Sequence, residues 1–389
     1  MAGLVIKPRS RILHGHDWVY SSEVLKVFGN PANGDVVSLK DGKDCLLGTA
    51  IYNANSQIVA RRFSRHRQDL DIDFFRRRIR QAAEYRQRRG VRADLCRVVW
   101  SESDGLPGVI VDRYGDHLVL QTLTLAMDRR KDLIVEALVE TLNPKGILER
   151  NESVSRKAEG MELRSGLLWG SLPDVLAMDI EGVTFAIDLD VGHKTGFYLD
   201  QLGNYQPVAR RAAGLRVLDC FSNQGGFALT CAKAGAAEVT AVEIGSALVD
   251  RIESNALANH LAVRAVEANV FDFLNSQARA GATYDLIILD PPSFTKSKGK
   301  LEDAARGYKE IHLRALQLLA PGGLLATFCC SHHVTREILR NILVDATNDA
   351  RRFVRVIEEY GQGLDHPILP HIPETEYLHG MLVELMPGR

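Results

Sequence analysis

Leu218-Asp219-Cys220-Phe221-Ser222-Asn223-Gln224-Gly225-Gly226-Phe227 reads as the end of an apolar strand, a tight turn and the first residues of a helix. Glycines let a backbone approach a ligand closely, and a helix N-terminus offers free N–H groups to an anion. Around it the chain alternates. Strands are predicted at Arg216–Cys220, Val239–Glu243, Ala262–Glu267, Asp285–Asp290, Gly323–Cys330 and Phe353–Tyr360, with a last one near Tyr377–Leu385. Helical periodicity fills the gaps, for example over Ser246–Asn259, Ala304–Leu319 and Thr335–Thr347. Such alternation predicts a parallel sheet covered by helices on both faces.

The last two strands are joined by a Gly- and Pro-rich loop, Gly361–Pro373, with no room for a crossover helix, so they should add an antiparallel hairpin. An open nucleotide-binding sheet that ends this way is the methyltransferase variant. In such a sheet the ligand crevice lies outside the strand C-termini. Two chemical groups are expected there. One is Asp290-Pro291-Pro292-Ser293-Phe294, after the apolar run Leu286–Leu289; the other is Cys329-Cys330-Ser331-His332-His333, after Leu324–Phe328. A thiol and a carboxylate at one edge point to covalent attack on a substrate.

Upstream, residues up to about 70 read as short strands broken by Gly29-Asn30-Pro31, Asn33-Gly34-Asp35 and Asp41-Gly42, with Val36–Leu39 and Gln57–Ala60 as candidates. Asp71–Arg89 then reads as a helix with Phe74, Phe75, Ile79, Ala82 and Ala83 on one face. From Cys96 to about Ile180 strands (Val98–Trp100, Val109–Val111, Leu118–Leu120) mix with a helix over Arg130–Leu142. Three domains are expected: 1–72, a small β domain; 73–180, a mixed α+β domain carrying the basic helix; and 181–389, the α/β domain.

Between Arg61 and Arg92 the chain holds twelve arginines and four acids, although its net charge is only −1. A stripe of guanidinium groups suits a phosphate backbone, which it can grip bidentately, whereas a solvated helix face is the plainer reading. Arg61, Arg62, Arg76, Arg77 and Arg80 are the expected RNA contacts, together with Lys194 in the glycine-flanked segment Gly192-His193-Lys194-Thr195-Gly196. The six cysteines show no metal-binding or disulfide spacing, so no metal is expected and a reducing cytoplasm fits. No apolar run approaches the roughly 20 residues of a membrane span. The start, Met1–Pro8, lacks the pattern of a signal peptide.

The turn after Leu218 departs from the dinucleotide pattern GxGxxG, because Phe221, Asn223 and Gln224 stand where a pyrophosphate would need glycine. That disfavours a dehydrogenase. A ligand with a ribose and no pyrophosphate suits the turn better, with Glu243 ending the next strand to hold the ribose hydroxyls; S-adenosylmethionine is such a ligand.

Several segments, in order, resemble one family: Gly192–Gln201, Cys220-Phe221-Ser222 with Gly225-Gly226-Phe227, Asp290–Phe294 and Thr327-Phe328-Cys329-Cys330-Ser331. It is the RlmI-like ribosomal RNA large-subunit cytosine-C5 methyltransferases. His16-Asp17-Trp18-Val19-Tyr20-Ser21 is similar to the opening of that family's PUA-type RNA-binding domain. Ser103–Gly108 resembles its central domain, and Asp365-His366-Pro367 with Tyr377-Leu378-His379-Gly380 its C-terminal part. The resemblance implies a Rossmann-like class I methyltransferase domain, a mostly parallel sheet with an antiparallel C-terminal strand, preceded by the PUA-like and central domains.

It also implies S-adenosylmethionine bound by Gln201, Phe221, Ser222, Asn223, Gly225, Glu243, Asn269, Val270 and Asp290. Large-subunit ribosomal RNA would be the substrate, the location cytoplasmic, with a homodimer compatible. The family's nucleophile maps to Cys330, with Asp290 as its partner at the base. Because neighbouring strand residues face opposite ways, Cys329 then reads as packing. His332 and His333 read as solvated loop residues. Two departures stand out: Leu202-Gly203 follow Gln201 where the family has arginine and aspartate, and Asn269 stands where aspartate is common. Asn269 is expected to accept the adenine amino group through its carbonyl. Rival readings are a methyltransferase of guanine or adenine nitrogen, and a non-catalytic RNA-binding assembly factor.

Overall fold

A computed structural model describes residues 2–8, 10–189, 196–294, 299 and 301–387. Chain contacts divide them into two compact units. The first comprises Met1–Leu176, Ile187–Leu199 and Leu364–Thr375; the second comprises Ala177–Ala186, Asp200–Gly363 and Glu376–Arg389.

The first unit holds two sheets. Six short strands, Gly3–Ile6, Trp18–Tyr20, Val24–Phe28, Val36–Lys40, Leu46–Tyr52 and Ile58–Ser64, form one of them around Leu4, Ile6, Val19, Val37, Leu39 and Ala50. Five strands between Leu95 and Gly170 form the other. The helix Ile72–Arg88 starts at Asp71, whose carboxylate caps it by accepting from Phe74 N–H at 2.8 Å. Its buried residues Phe74, Phe75 and Ile79 pack with Val99, Val111, Leu118, Ile134 and Leu138 in one core.

The second unit carries the predicted alternation. Its main sheet has β1 (Arg216–Cys220), β2 (Glu238–Glu243), β3 (Arg264–Glu267), β4 (Tyr284–Leu289), β5 (Leu319–Cys329), β6 (Val354–Gly361) and β7 (His379–Leu385). The order is β3-β2-β1-β4-β5-β7-β6, with β7 antiparallel to both β5 and β6 and the rest parallel. Six helices accompany them: α1 (Leu202–Ala209), α2 (Gly226–Lys233), α3 (Ser246–Ala258), α4 (Val270–Arg279), α5 (Leu301–Leu318) and α6 (Arg336–Ala350).

The central strands read as continuous apolar runs because both faces are covered: Leu218, Ile287, Ile288, Leu289, Leu325, Ala326 and Phe328 are all fully enclosed. Parallel pairing sets Cys220 beside Leu289 and Leu289 beside Thr327. The loops that leave β1, β4 and β5 therefore emerge side by side at one edge. Several boundaries differ from expectation: α6 runs on to Ala350, three residues past Thr347, β3 begins at Arg264 and β7 at His379, each two residues late. β5 begins at Leu319, because a bend at Pro321-Gly322 continues the strand rather than preceding it, and α5 begins at Leu301, three residues early.

Candidate active site

The loop after β1 is built on three left-handed residues: Phe221 at φ 63°, Asn223 at φ 50° and Gly225 at φ 84°. Non-glycine residues adopt this conformation only under constraint, and two in one turn mark a shaped backbone. The constraint is visible. Asn223 N–H donates to Glu243 Oε2 at 2.9 Å, and Ser222 N–H donates to the Val242 carbonyl at 3.1 Å, so the turn is sewn to the end of β2. Glu243 Oε1 accepts from Ile244 N–H at 2.8 Å. Gly226 opens α2 where no side chain fits: a Cβ there would lie 2.5 Å from the Tyr205 ring.

Behind the turn lies Asp219, 1% exposed. Its Oδ2 accepts from Ser222 Oγ at 2.5 Å and from Ala228 N–H at 3.1 Å, while Oδ1 has no partner. Burial pushes this carboxyl up to about 7, against those two hydrogen bonds. Gln201, 3% exposed, accepts from Asn204 Nδ2 at 2.7 Å and leaves Nε2 unpartnered. Buried polar atoms without partners are uncommon, and these two are ready to meet polar groups of a bound ligand.

Asp290 follows β4, half-buried, its N–H 3.4 Å from the Cys220 carbonyl. Cys330 follows β5, also half-buried, with Sγ 3.7 Å from the Pro291 carbonyl oxygen. The thiol thus faces the Asp290–Phe294 loop. Cys329 points the other way. It is fully enclosed, its thiol donates to Tyr308 Oη at 3.2 Å, and burial pushes its pKa up. Cys220 and Cys231 are likewise buried, with pKa values raised by desolvation.

Two other expected cofactor residues have partners inside the fold. Asn269 Oδ1 is occupied as the N-cap of α4, accepting from Phe271 N–H at 2.9 Å, and Val270 is a core side chain at 4% exposure. The Asn269 amide is therefore aimed first at the helix, because an N-cap must satisfy orphan N–H groups.

The arginines do not form one stripe. Arg61 lies over the Trp18 ring and binds Glu102 at 2.6 Å; burial would raise the Glu102 pKa, but Arg61 and its other bonds hold it low. Arg62 is buried against Asp17 at 2.7 Å, and Arg76 binds Glu140, Glu136 and Asp73. These three expected RNA contacts are engaged within the fold, since a buried or half-buried guanidinium must be paired. Arg77 and Arg80 are exposed. Lys194, with His193, lies outside the described residues. Asp219 and Tyr308 were missed by the sequence reading. A carboxylate in a strand buried on both faces was the available signal for Asp219; Tyr308, one tyrosine in an amphipathic helix, carried none.

An S-adenosylmethionine-dependent methyltransferase family model matches residues 164–369, and a PUA-like domain model matches residues 7–65. The ribosomal RNA large subunit methyltransferase I of Aeromonas hydrophila is 40% identical, covering 97% of this chain and 98% of its own. That of Escherichia coli O157:H7 is 37% identical over 96% of each. The chain belongs to this methyltransferase family. S-Adenosylmethionine is accordingly its cofactor, and the unpartnered Gln201 and Asp219 atoms beside the shaped turn fit a ligand of that polarity. A Streptococcus mutans SAM-dependent methyltransferase structure, 22% identical, superposes with a TM-score of 0.84 over 99% of this chain and all of its own; the methyltransferase SMU.776 complexed with SAH, 21% identical, superposes with the same score and coverage. That likeness places the family's fold over the whole length. Among the described residues no helix is long and apolar enough to cross a membrane.

Proposed function

We propose that this methyltransferase forms 5-methylcytosine in large-subunit ribosomal RNA, with Cys330 as nucleophile. The observation that carries the reading is the half-buried Cys330 thiol facing the Asp290–Phe294 loop at 3.7 Å, at the edge where the cofactor turn also emerges. Nitrogen methylation needs no thiol there, and carbon 5 of cytosine does.

The bound cofactor supplies an electrophilic sulfonium methyl. The Cys330 thiolate adds to C6 of the ring, the electron pair moves to C5, and C5 takes the methyl. A base then removes the C5 proton and the electrons return to expel the thiolate, so the ring is restored with one methyl in place of one hydrogen. Asp290, at the same edge, holds or shares the proton at ring N3 while negative charge develops. Gln201, the Phe221–Gly225 turn with Ser222 and Asn223, Glu243, and the Asn269-Val270 backbone hold the cofactor. A base inside a helix cannot reach such a pocket, so the target cytosine is unpaired or flipped out. Exposed Arg77 and Arg80 and the PUA-like domain contact the RNA backbone.

Cys330→Ala should abolish transfer to ribosomal RNA, by at least roughly a thousandfold given the scale of nucleophile removal, and leave S-adenosylmethionine affinity within about twofold. RNA containing 5-fluorocytosine should trap the wild type covalently and not the variant. Full activity of Cys330→Ala sinks the covalent mechanism.

A further inference from the structure

The two cysteines are adjacent in sequence, yet only one faces the reaction edge; the other is tied to α5 behind it. Tyr308 of α5 is 0% exposed, and its phenol receives the Cys329 thiol at 3.2 Å. The Tyr308 side chain also reaches Phe294, the last residue of the Asp290–Phe294 loop. The Tyr308 ring packs on Phe294 with centroids 4.6 Å apart, and Phe294 in turn meets Phe221 of the cofactor turn at 6.4 Å. Gly307 makes room for this, since a Cβ there would lie 3.1 Å from the Phe294 ring.

One helical turn further on, His312 is fully buried between the Tyr308 carbonyl at 2.6 Å and Thr327 Oγ1 at 2.7 Å. A carbonyl only accepts, so Nδ1 carries the proton and the Thr327 hydroxyl donates to Nε2. Tyr308 and His312 are four apart on α5, and Cys329 and Thr327 are two apart on β5. Each pair therefore shares one face, and the helix is joined to the strand by two rungs.

We propose that Tyr308 is a positioning residue for methyl transfer: its buried hydroxyl holds the Cys329-Cys330 strand end while its ring packs on Phe294 of the Asp290–Phe294 loop, and together they set the place of the Cys330 thiol. This rests on Cys330 being the nucleophile. The phenol touches neither the base nor the cofactor. It acts through Cys329 and Phe294, and through Phe294 it reaches the cofactor turn. A misplacement of about 1 Å at a reacting atom can cost on the order of a hundredfold in rate, which gives one buried hydroxyl kinetic leverage well beyond its share of stability.

Tyr308→Phe keeps the ring and its packing and removes only the oxygen. The expected result is a fall in kcat of roughly ten- to a hundredfold, with KM for RNA and affinity for S-adenosylmethionine within about twofold, and slower covalent trapping on 5-fluorocytosine RNA. Cys329→Ala should fall similarly, and Cys329→Ser, which keeps a hydrogen-bonding group, should recover most of the rate. The double variant Tyr308→Phe/Cys329→Ala should be no worse than either single one, because both remove the same link. A kcat for Tyr308→Phe within twofold of wild type overturns the proposal. So does a loss in which rate, cofactor affinity and melting temperature decline together without rescue by Cys329→Ser, since that is a merely structural effect. Cys330→Ala measured alongside separates the two readings. If it is fully active, nucleophile and brace fall together; if it is inactive while Tyr308→Phe is unimpaired, only the brace falls.

Discussion

Arg86 belongs by composition to the basic run and by structure to the interior, and replacing it separates those roles. It is 3% exposed. Its guanidinium donates to Asp104 Oδ1 at 2.6 Å, to the Arg97 carbonyl at 2.9 Å, to the Asp365 carbonyl at 2.7 Å and to the Ala82 carbonyl at 3.3 Å. Arg86→Ala would strand the Asp104 carboxylate, itself 7% exposed, and the Arg97 and Asp365 carbonyls, whose lost partner bulk water cannot replace. Breaking one half of a buried ion pair costs about 3–5 kcal/mol. In a unit of this size each kcal/mol lowers the melting temperature by roughly 2–4 °C, so a drop of about 10 °C is expected by calorimetry. Arg80→Ala, on the exposed face of the same helix, should change stability by less than about 0.5 kcal/mol. RNA binding should show the opposite order. Losing one phosphate contact reduces the slope of log affinity against log salt by about 0.7–0.9; Arg80→Ala should do this, and Arg86→Ala, measured well below its melting point, should not. An Arg86→Ala protein that melts like wild type, or that loses more salt slope than Arg80→Ala, refutes the assignment.

Asp219 predicts an unusual pH dependence. The folded carboxyl keeps its proton up to about 7, against 3.8 for an ordinary aspartate. The native state therefore binds more protons than the unfolded chain between those values, and stability falls as pH rises through that window, by up to roughly 1.4 kcal/mol per pH unit. Asp219→Asn removes this slope, so melts of the cofactor-free protein from pH 5 to 8 should shift in the variant's favour as pH rises; parallel curves would exclude the shifted carboxyl. Glu243→Gln loses a charged acceptor from the turn and, on the proposed reading, from the cofactor's ribose. With charged hydrogen bonds worth about 1.5–3 kcal/mol, S-adenosylmethionine should bind at least about tenfold more weakly by titration calorimetry, and an unchanged Kd would take Glu243 out of the site.

The α/β unit was largely legible because burial on both faces leaves a plain record. Leu286-Ile287-Ile288-Leu289 and Leu324–Phe328 admit little besides central strands once helical stretches flank them, and the Gly361–Pro373 loop allowed only an antiparallel return. The first unit was read less completely. Leu46–Tyr52 contains Gly48 at φ 135°, whose backbone is crowded by the Ser64 carbonyl, so a central strand carries a residue that usually signals its absence. Arg164–Gly170 is an edge strand, exposed at nearly every position, and therefore shows no period of two. In the second unit, but for its two end residues, the hairpin Leu176–Ile180 to Val183–Ile187 turns on Glu181 and Gly182, at φ 53° and 76°, a two-residue turn whose glutamate does not announce it.

At the site, residue type declared the chemistry and said little about partners. Arginine content could not reveal that Arg61 meets Glu102, 41 positions away, or that Arg86 meets the Asp365 carbonyl, 279 away. Those pairings are set by which strands lie together, and charge patterning along a chain carries no record of that. A narrower rule would have recovered more. A polar residue inside a doubly covered strand has to be bonded, because leaving it unpaired costs more than any apolar replacement would. Asp219 in β1 and Thr327 in β5 are two such residues, and each predicts a partner on a packed helix or turn before any coordinates exist. Thr327 finds His312, and two positions along the same face Cys329 finds Tyr308. Cys330 lies one position past the last ladder pair and faces Pro291. The proposed covalent mechanism asks for a thiol in that kind of place, held by the sheet's register at the first position beyond a strand, because the nucleophile must add to the base and then leave it.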